Sequence, residues 1–455
     1  MRPLRTQDPR RLVLHLLAEG GRMPSRRFGE AALHAGLSPV DRGLAHELLL
    51  GVLRRRATLD AVMQAHLKKR LREPRVRDAL HVGLYQLVFL DRVPPHAAIH
   101  TTLEAMKPGL EPRIGLVNAV LRAVQRGMGP GRVGARDRWT LTLGPERAVR
   151  FVKAVFPDPE RDPVAWLAAH AGFPRALVKR WLATAGEETT RMRLALFDQP
   201  APLWLRLNPE RMPSPEAVRD ALAAVGVATE PGAGAPLLRV LRGAGSPADW
   251  PGFDEGWWSV QDLSAWEAVM LAEPRPGERV LDLCAAPGGK AFAVLEATGG
   301  EARVTACDVD EDRLAELARE AARLGHAPAV VPLGDDAPAP EGAWDLIVAD
   351  VPCTNTGVLH KRPEARGRFD DDELHRATTV QNLFMKQRLV PAVAAARAAG
   401  ARPRVLWSTC SLEPEENEEM ARRLAKRAGL ELASERTFEP SPERSGGYAA
   451  LLVTP

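Results

Sequence analysis

Four short apolar runs in the C-terminal half constrain this chain most. They are residues 278–285 (ERVLDLCA), 303–310 (RVTACDVD), 344–351 (WDLIVADV) and 404–411 (RVLWSTCS), and each is separated from the next by helix-like sequence. Runs of that length read as buried strands, and strand–helix alternation from about Gly252 onward calls for a mainly parallel sheet covered by helices on both faces. Such sheets bind ligands beyond the carboxyl ends of their strands, near the switch in strand order. The chemically distinctive residues of the chain stand at those ends, so they are read as one site.

The first of them form a loop, DLCAAPGGK, from Asp282 to Lys290. Pro287 bends the chain, Gly288 and Gly289 let the backbone approach a ligand without a side-chain clash, and Lys290 opens the next helix. The loop is neither GxGxxG nor GxxxxGK[ST], which disfavours a dinucleotide or ATP. Asp308, at the end of the second strand, is placed to accept hydrogen bonds from two ribose hydroxyls, and Asp335, after a third strand, to meet an adenine amino group. Loop and acids together fit S-adenosylmethionine.

Asp350-Val-Pro-Cys353 and Ser-Thr-Cys410-Ser then bring two thiols to strand ends of the same sheet. A thiolate is well suited to adding reversibly to an unsaturated ring. Addition to C6 of cytosine makes C5 nucleophilic toward a methyl sulfonium. Asp350 is placed to protonate or hydrogen-bond N3, and a second thiol to help remove the C5 proton. Cys284 and Cys307 are expected only to pack as small hydrophobes, Cys284 lending backbone to the loop. An N- or O-methyltransferase with structural cysteines, and a binding protein that only holds RNA, remain open at this point.

The N-terminal part differs. Residues 10–126 read as helix after helix, with Leu44, Leu48 and Val52, then Leu80, Leu84 and Leu87, at three- and four-residue spacing, and breaks at Pro39, Pro74, Pro94–Pro95 and Pro108. Up to Arg126 there are 22 Lys/Arg against 11 Asp/Glu, a balance of +11, so the rest of the +4 chain carries −7. A basic module on an acidic remainder suggests a docking surface for RNA phosphates, with 54–56 (RRR) and 68–70 (KKR) as its candidate runs. Residues 127–134 read as a flexible linker and 138–193 as helical. Strand, helix and strand then follow at 201–209, 214–227 (capped by Ser214) and 236–243. The expected organisation is multi-domain: an all-α bundle over 1–128, a middle helical and small α/β domain over 138–250, and an α/β, Rossmann-like domain over 251–455. No apolar run reaches eighteen residues, the cysteines lack metal-ligand spacing, and the start reads as an amphipathic helix, so no membrane contact, no metal and a cytoplasmic location are expected.

DLCAAPGGK, DVPCTNTGVLHKRPE and LWSTCSLEPEENE resemble the motifs of the RNA 5-methylcytosine methyltransferases of the Sun or Fmu family. DRGLAHELLLGVLRRRATLD, LHVGLYQLVFLDRVPPHAAI and GLVNAVLRAV resemble the RNA-binding NusB proteins. The resemblance implies a NusB-like domain ahead of a methyltransferase, the layout of small-subunit ribosomal RNA methyltransferases, with Cys410 as nucleophile and Cys353 as the thiol that helps release product. It implies further that Cys284, Ala285, Ala286, Pro287, Gly288, Gly289 and Lys290, with Asp308, Asp335 and Asp350, contact S-adenosylmethionine. RNA is the implied partner, 16S rRNA before tRNA, and the protein is expected to act as a monomer. Ala291 after the loop, Trp407 before Ser-Thr-Cys and Trp266 after the Gln-Asp segment depart from the usual family residues.

Overall fold

Proline sets where five helices of the first 126 residues begin in the computed structural model, which describes residues 4–19, 24–107, 109–232, 234, 236–334 and 337–455. They are α1 (Pro9–Ala18), α2 (Pro24–Ala35), α3 (Pro39–Arg54), then, after α4 (Arg56–Ala65), α5 (Pro74–Phe89) and α6 (Pro95–Ala105). A proline in the first turn gives up an N–H that has no helical partner anyway. Ser38 caps α3 by accepting from Asp41 N at 3.2 Å. Helix α7 (Ile114–Arg126) completes the bundle. Helix α5 is buried almost without a break from Val76 to Val88, the mark of a helix enclosed by others. Its interior Gln86 is satisfied, accepting from Arg10 Nε at 2.8 Å and donating to Thr102 Oγ1 at 3.0 Å.

Residues 127–151 differ from expectation. The expected linker carries β1 (Met128–Pro130), which joins β2 (Thr140–Thr142) and β3 (Ala148–Phe151) in an antiparallel sheet of order β1-β3-β2. Thr140, Leu141, Ala148 and Phe151 are buried, and these strands are too short to carry a period that would outweigh the helical reading from residue 138. Helices α8 (Pro163–Ala171), α9 (Arg175–Thr184) and α10 (Gly186–Phe197) follow, and all of this belongs to one unit, Met1–Gln199 together with Leu359–Asp371.

Within the arginine run 54–56, Arg55 is buried while Arg54 and Arg56 are half-buried. Arg55 is buried, pairs with Asp198 and lies 5.1 Å from the Phe89 ring centre. Arg56 stands 3.7 Å from the Asp78 carboxylate. A guanidinium stays inside only when paired, so these charges serve the fold. Lys68, Lys69 and Arg70, by contrast, are exposed in the α4–α5 loop. In the inserted segment, Arg366 is fully buried, donates to Arg54 O at 3.1 Å and to Phe197 O, and lies 4.0 Å from the Phe173 ring centre.

The second unit, Pro200–Val358 with Asp372–Pro455, holds two sheets. The smaller is antiparallel, of order β5-β6-β4-β7, built from β4 (Leu203–Leu207), β5 (Ala228–Pro231), β6 (Leu237–Arg242) and β7 (Trp258–Val260). Between β4 and β5 runs α11 (Pro215–Ala224), capped where expected by Ser214, which accepts from Ala217 N at 3.1 Å. Leu205, Leu222, Leu238, Trp250 and Trp258 fill the core beside it.

The larger sheet has seven strands in the order β10-β9-β8-β11-β12-β14-β13. After α12 (Leu263–Leu271) the chain runs β8 (Arg279–Asp282), α13 (Gly289–Ala297), β9 (Arg303–Asp308), α14 (Glu311–Leu324), β10 (Ala329–Pro332) and β11 (Leu346–Asp350). It then enters the inserted segment with α15 (Pro363–Arg366) and returns through α16 (Asp371–Phe384) and α17 (Val390–Ala398). Strand β12 (Arg404–Thr409), α18 (Glu418–Ala428), β13 (Glu431–Phe438) and β14 (Gly447–Val453) end it. Strands β8 to β12 are parallel and β13 and β14 antiparallel, so the four sequence-read strands form its centre. One apolar core lies on each face, and Trp266 belongs to one, Trp407 to the other. Among the described residues, no helix is long and apolar enough to cross a membrane.

Arg206 of β4 ties the two sheets. Its guanidinium is wholly buried and meets Glu296 of α13 through Nε at 2.6 Å and Nη2 at 3.0 Å, with His326 3.2 Å from the same carboxylate. Removing one member of a buried pair strands the other, so Arg206→Ala is expected to cost this unit about 3–5 kcal/mol in urea denaturation. A loss under about 1 kcal/mol, the scale of exposed pairs, would contradict the role given to this pair.

Candidate active site

Parallel pairing of β11 with β12 sets Asp350 opposite Ser408, so the two chains leave the sheet side by side at its carboxyl edge. Three residues beyond Asp350 lies Cys353 and two beyond Ser408 lies Cys410. Their Sγ atoms are 3.2 Å apart, both thiols are free, and both residues are partly open to solvent. That separation is a contact rather than a bond of ~2.05 Å.

The two turns are stitched together at several points. Gly357 N donates to Cys410 O at 2.9 Å, and a Cβ at Gly357 would lie 2.5 Å from the Gly446 carbonyl, so only glycine fits there. Thr356 Oγ1 accepts from Leu412 N at 2.9 Å. Glu416, a residue that sequence reasoning did not single out, is wholly buried beneath both thiols. Its carboxyl accepts from Thr354 N at 2.9 Å, Ser411 Oγ at 2.5 Å and Gln381 Nε2 at 3.1 Å, and also from Thr354 Oγ1. Trp407 Nε1 donates to its main-chain oxygen at 3.1 Å, which gives the departure at Trp407 a use. Burial pushes the Glu416 carboxyl up to about 7, although the hydrogen bonds from Ser411 and Thr354 favour its charged form.

The two thiols are unequal. The hydrogen bond to Cys410 holds the Cys353 thiol well above its ordinary value, with burial and the nearby charges of Cys410 and Glu416 adding to it. Cys353 therefore holds its proton more tightly than an ordinary thiol does. Asn355 completes the cluster, donating from Nδ2 to Cys353 O at 2.7 Å and accepting from Cys410 Sγ at 3.4 Å.

Lys290, at the start of α13, pairs with Asp350 at 2.6 Å, and Ser408 Oγ donates to the other Asp350 oxygen at 3.2 Å. Burial works against the Lys290 charge, yet Asp350, Asp282 and Cys410 outweigh it and raise the ammonium above its ordinary value. The loop before it is shaped as expected. Gly288 has φ +109° and a Cβ there would lie 2.3 Å from the Phe292 ring. Gly289 O is held by Arg206 Nη1 at 2.8 Å and Gln261 Nε2 at 3.0 Å. Ala285 N donates to Cys307 O at 2.8 Å and Ala286 N to Asp308 Oδ2 at 3.1 Å, while Ala286–Pro287 is a cis peptide. Asp308 also has Arg313 at 3.6 Å. Asp335 lies outside the described residues.

Asp282, beneath this loop, accepts from Cys284 N at 3.3 Å through one oxygen, while the other is buried without a partner. Burial, and then repulsion from Asp350, push its carboxyl up to about 7. Cys284 and Cys307 behave as packing residues, their thiols driven up by burial, Cys307 to about 12. A glycine cradle, an acid at the next strand end and a buried carboxyl with a spare acceptor suit a cationic nucleoside-like ligand.

Comparison with known proteins agrees with this layout. Residues 269–455 match the family described as 16S rRNA methyltransferase RsmB/F, and residues 10–126 match the NusB family. The chain is 34% identical over 390 residues to a Synechocystis sp. protein named probable ribosomal RNA small subunit methyltransferase B, covering 84% of this chain and 80% of that one. The Vibrio cholerae ribosomal RNA small subunit methyltransferase B is 33% identical, with 84% and 80% covered. Among solved structures, a methyltransferase homolog protein from Pyrococcus horikoshii has a TM-score of 0.52 at 24% identity, over 66% of this chain and 100% of that one, which supports the fold. An N-terminal NusB domain followed by a Rossmann-like methyltransferase domain, with relatives this close over most of the length, shows that the chain belongs to the 16S rRNA methyltransferase RsmB/F family of S-adenosylmethionine-dependent RNA methyltransferases.

Proposed function

We propose that this protein methylates C5 of a cytosine in RNA, with 16S rRNA as substrate and S-adenosylmethionine as donor, through a transient bond between Cys410 and C6. The observation that carries the reading is the 3.2 Å contact between two inequivalent thiols at adjacent strand ends. Once its proton has passed to solvent, the Cys410 thiolate forms an S–C6 bond, and the C5–C6 π electrons become available at C5. The 284–290 loop with Asp308 and Asp282 would hold S-adenosylmethionine, which would supply an electrophilic methyl group to C5 and leave as the neutral thioether. Lys290 and Asp350, paired at 2.6 Å, supply a donor and an acceptor beside Cys410 for the ring's polar edge. Cys353 then takes the C5 proton, the double bond re-forms, and Cys410 leaves as thiolate. The thiol–thiol contact times this step. Once the Cys410 proton has left, the thiolate charge opposes ionisation of Cys353; bonding to C6 removes that charge, so Cys353 passes its own proton to solvent and acts as base. The exposed Lys68–Lys69–Arg70 loop serves as a phosphate-docking element, and RNA recognition is assigned to the NusB-like bundle.

Three outcomes are expected. Cys410→Ala lowers single-turnover methylation by about four orders of magnitude or more while calorimetric S-adenosylmethionine binding is kept. Cys353→Ala instead leaves protein joined to RNA in denaturing gels. Methylation by Cys410→Ala at the native rate, or no such adduct with Cys353→Ala, removes the assignment. Glu416→Ala, which unties the two turns, lowers kcat about 10- to 100-fold with donor affinity unchanged, and Glu416→Gln recovers most of it. Unchanged kcat in the alanine variant would end that role.

Stability should depend on pH through the raised acids. The unfolded chain ionises Asp282 near ~4 and the folded chain near 7, so the unfolded state releases its proton first and stability falls as pH rises between those values. The thermal midpoint of the ligand-free protein is expected to drop from about pH 5 to about pH 7.5, and Asp282→Asn to flatten that drop. A midpoint whose pH dependence is the same in the variant would contradict the assigned environment.

A further inference from the structure

Asn355 has no part in the reaction as described, yet it touches the nucleophile. Its backbone has φ +63°, a left-handed conformation that, among the described non-glycine residues, only Glu273 shares. Asparagine tolerates that region better than most side chains, and residues persist there where their surroundings hold them. Here the hold is explicit. Asn355 O accepts from Val358 N at 3.1 Å, and Asn355 Nδ2 donates to Cys353 O at 2.7 Å.

That second bond fixes the chemistry of the first. A main-chain carbonyl only accepts, so the amide must turn its NH2 to Cys353 O and its oxygen to Cys410. The atom 3.4 Å from Cys410 Sγ is therefore an acceptor, and Cys410 must supply the S–H. With that proton engaged, the 3.2 Å thiol–thiol contact is left to the Cys353 S–H as donor. A hydrogen bond made to the neutral form of an acid stabilises that form against the charged one.

We propose that Asn355 is a catalytic residue that holds the Cys410 proton in the resting enzyme and so restrains the sulfur from reacting before RNA is bound. The proposal rests on the reading of Cys410 as nucleophile, and it makes the resting enzyme less open to stray electrophiles than a bare thiolate would be. When the substrate ring enters, the proton leaves to solvent and the S–C6 bond forms in its place.

The test is alkylation of the full-length, RNA-free protein by iodoacetamide near neutral pH, followed on the Cys410 peptide by mass spectrometry. In that reaction the S–C bond forms, iodide leaves and the thiol proton passes to buffer. Asn355→Gly keeps the backbone conformation and removes the acceptor, so Cys410 should react several-fold faster. Asn355→Asp keeps the size and puts a carboxylate beside the sulfur, so it should react several-fold slower. Equal rates in all three proteins would overturn the proposal. So would faster reaction in both variants, because that reports only easier access. The readout follows the Cys410 thiol whatever its part in methylation, whereas full methylation by Cys410→Ala would remove the nucleophile and leave the alkylation result standing.

Discussion

The site depends on one pairing, the parallel register of β11 and β12 that sets Asp350 against Ser408. Side chains near the ends of adjacent parallel strands are displayed at one edge of the sheet, and this pairing delivers Cys353 and Cys410 to the same edge. The register alone does not give a 3.2 Å contact, because both thiols lie on turns beyond the strands. Buried Glu416 supplies the rest. By accepting from Thr354 in one turn and Ser411 in the other, one carboxyl makes the two turns a single object. Burying it costs energy, since burial pushes the carboxyl up to about 7.

Charge is arranged around that contact with the same economy. Asp350 and Lys290 neutralise each other at the strand edge, Asp282 lies deeper with one oxygen unpartnered, and Asp308 secures the glycine loop through Ala286 N. A cationic sulfonium ligand is the complement of this set. Arg206 and Gln261 clamp Gly289 O from the neighbouring small sheet, so the loop is braced from outside the parallel sheet as well as within it. The small sheet is thus part of the glycine loop's support.

Much of this was legible in the sequence, for identifiable reasons. Strands β8, β9, β11 and β12 are buried on both faces and therefore read as continuous apolar runs, with the loop and thiols marking their ends. Edge strand β13 (ELASERTF) was not legible because its exposed face breaks the run, and β1 to β3 are too short to outweigh a helical reading. Arg55 and Glu416 show the same limit from the polar side. RRR and PEENEE both read as solvated charge, and nothing local says that Arg55 will meet Asp198 or that Glu416 alone of its run will sit under the thiols. Asn355 carried a weak signal, an asparagine between threonines next to a glycine, which suggests a left-handed turn but not its contact with sulfur.

The central claim is that the Cys410 sulfur bonds to the pyrimidine while Cys353 waits to take the C5 proton. RNA carrying 5-fluorocytidine tests it most directly, since fluorine at C5 cannot leave as a proton does and the covalent state should persist after methyl transfer. Digestion and mass spectrometry should then find the methylated nucleotide on the peptide containing Cys410. Attachment at Cys353, or release of methylated fluorinated RNA with no attachment to protein, would contradict the account.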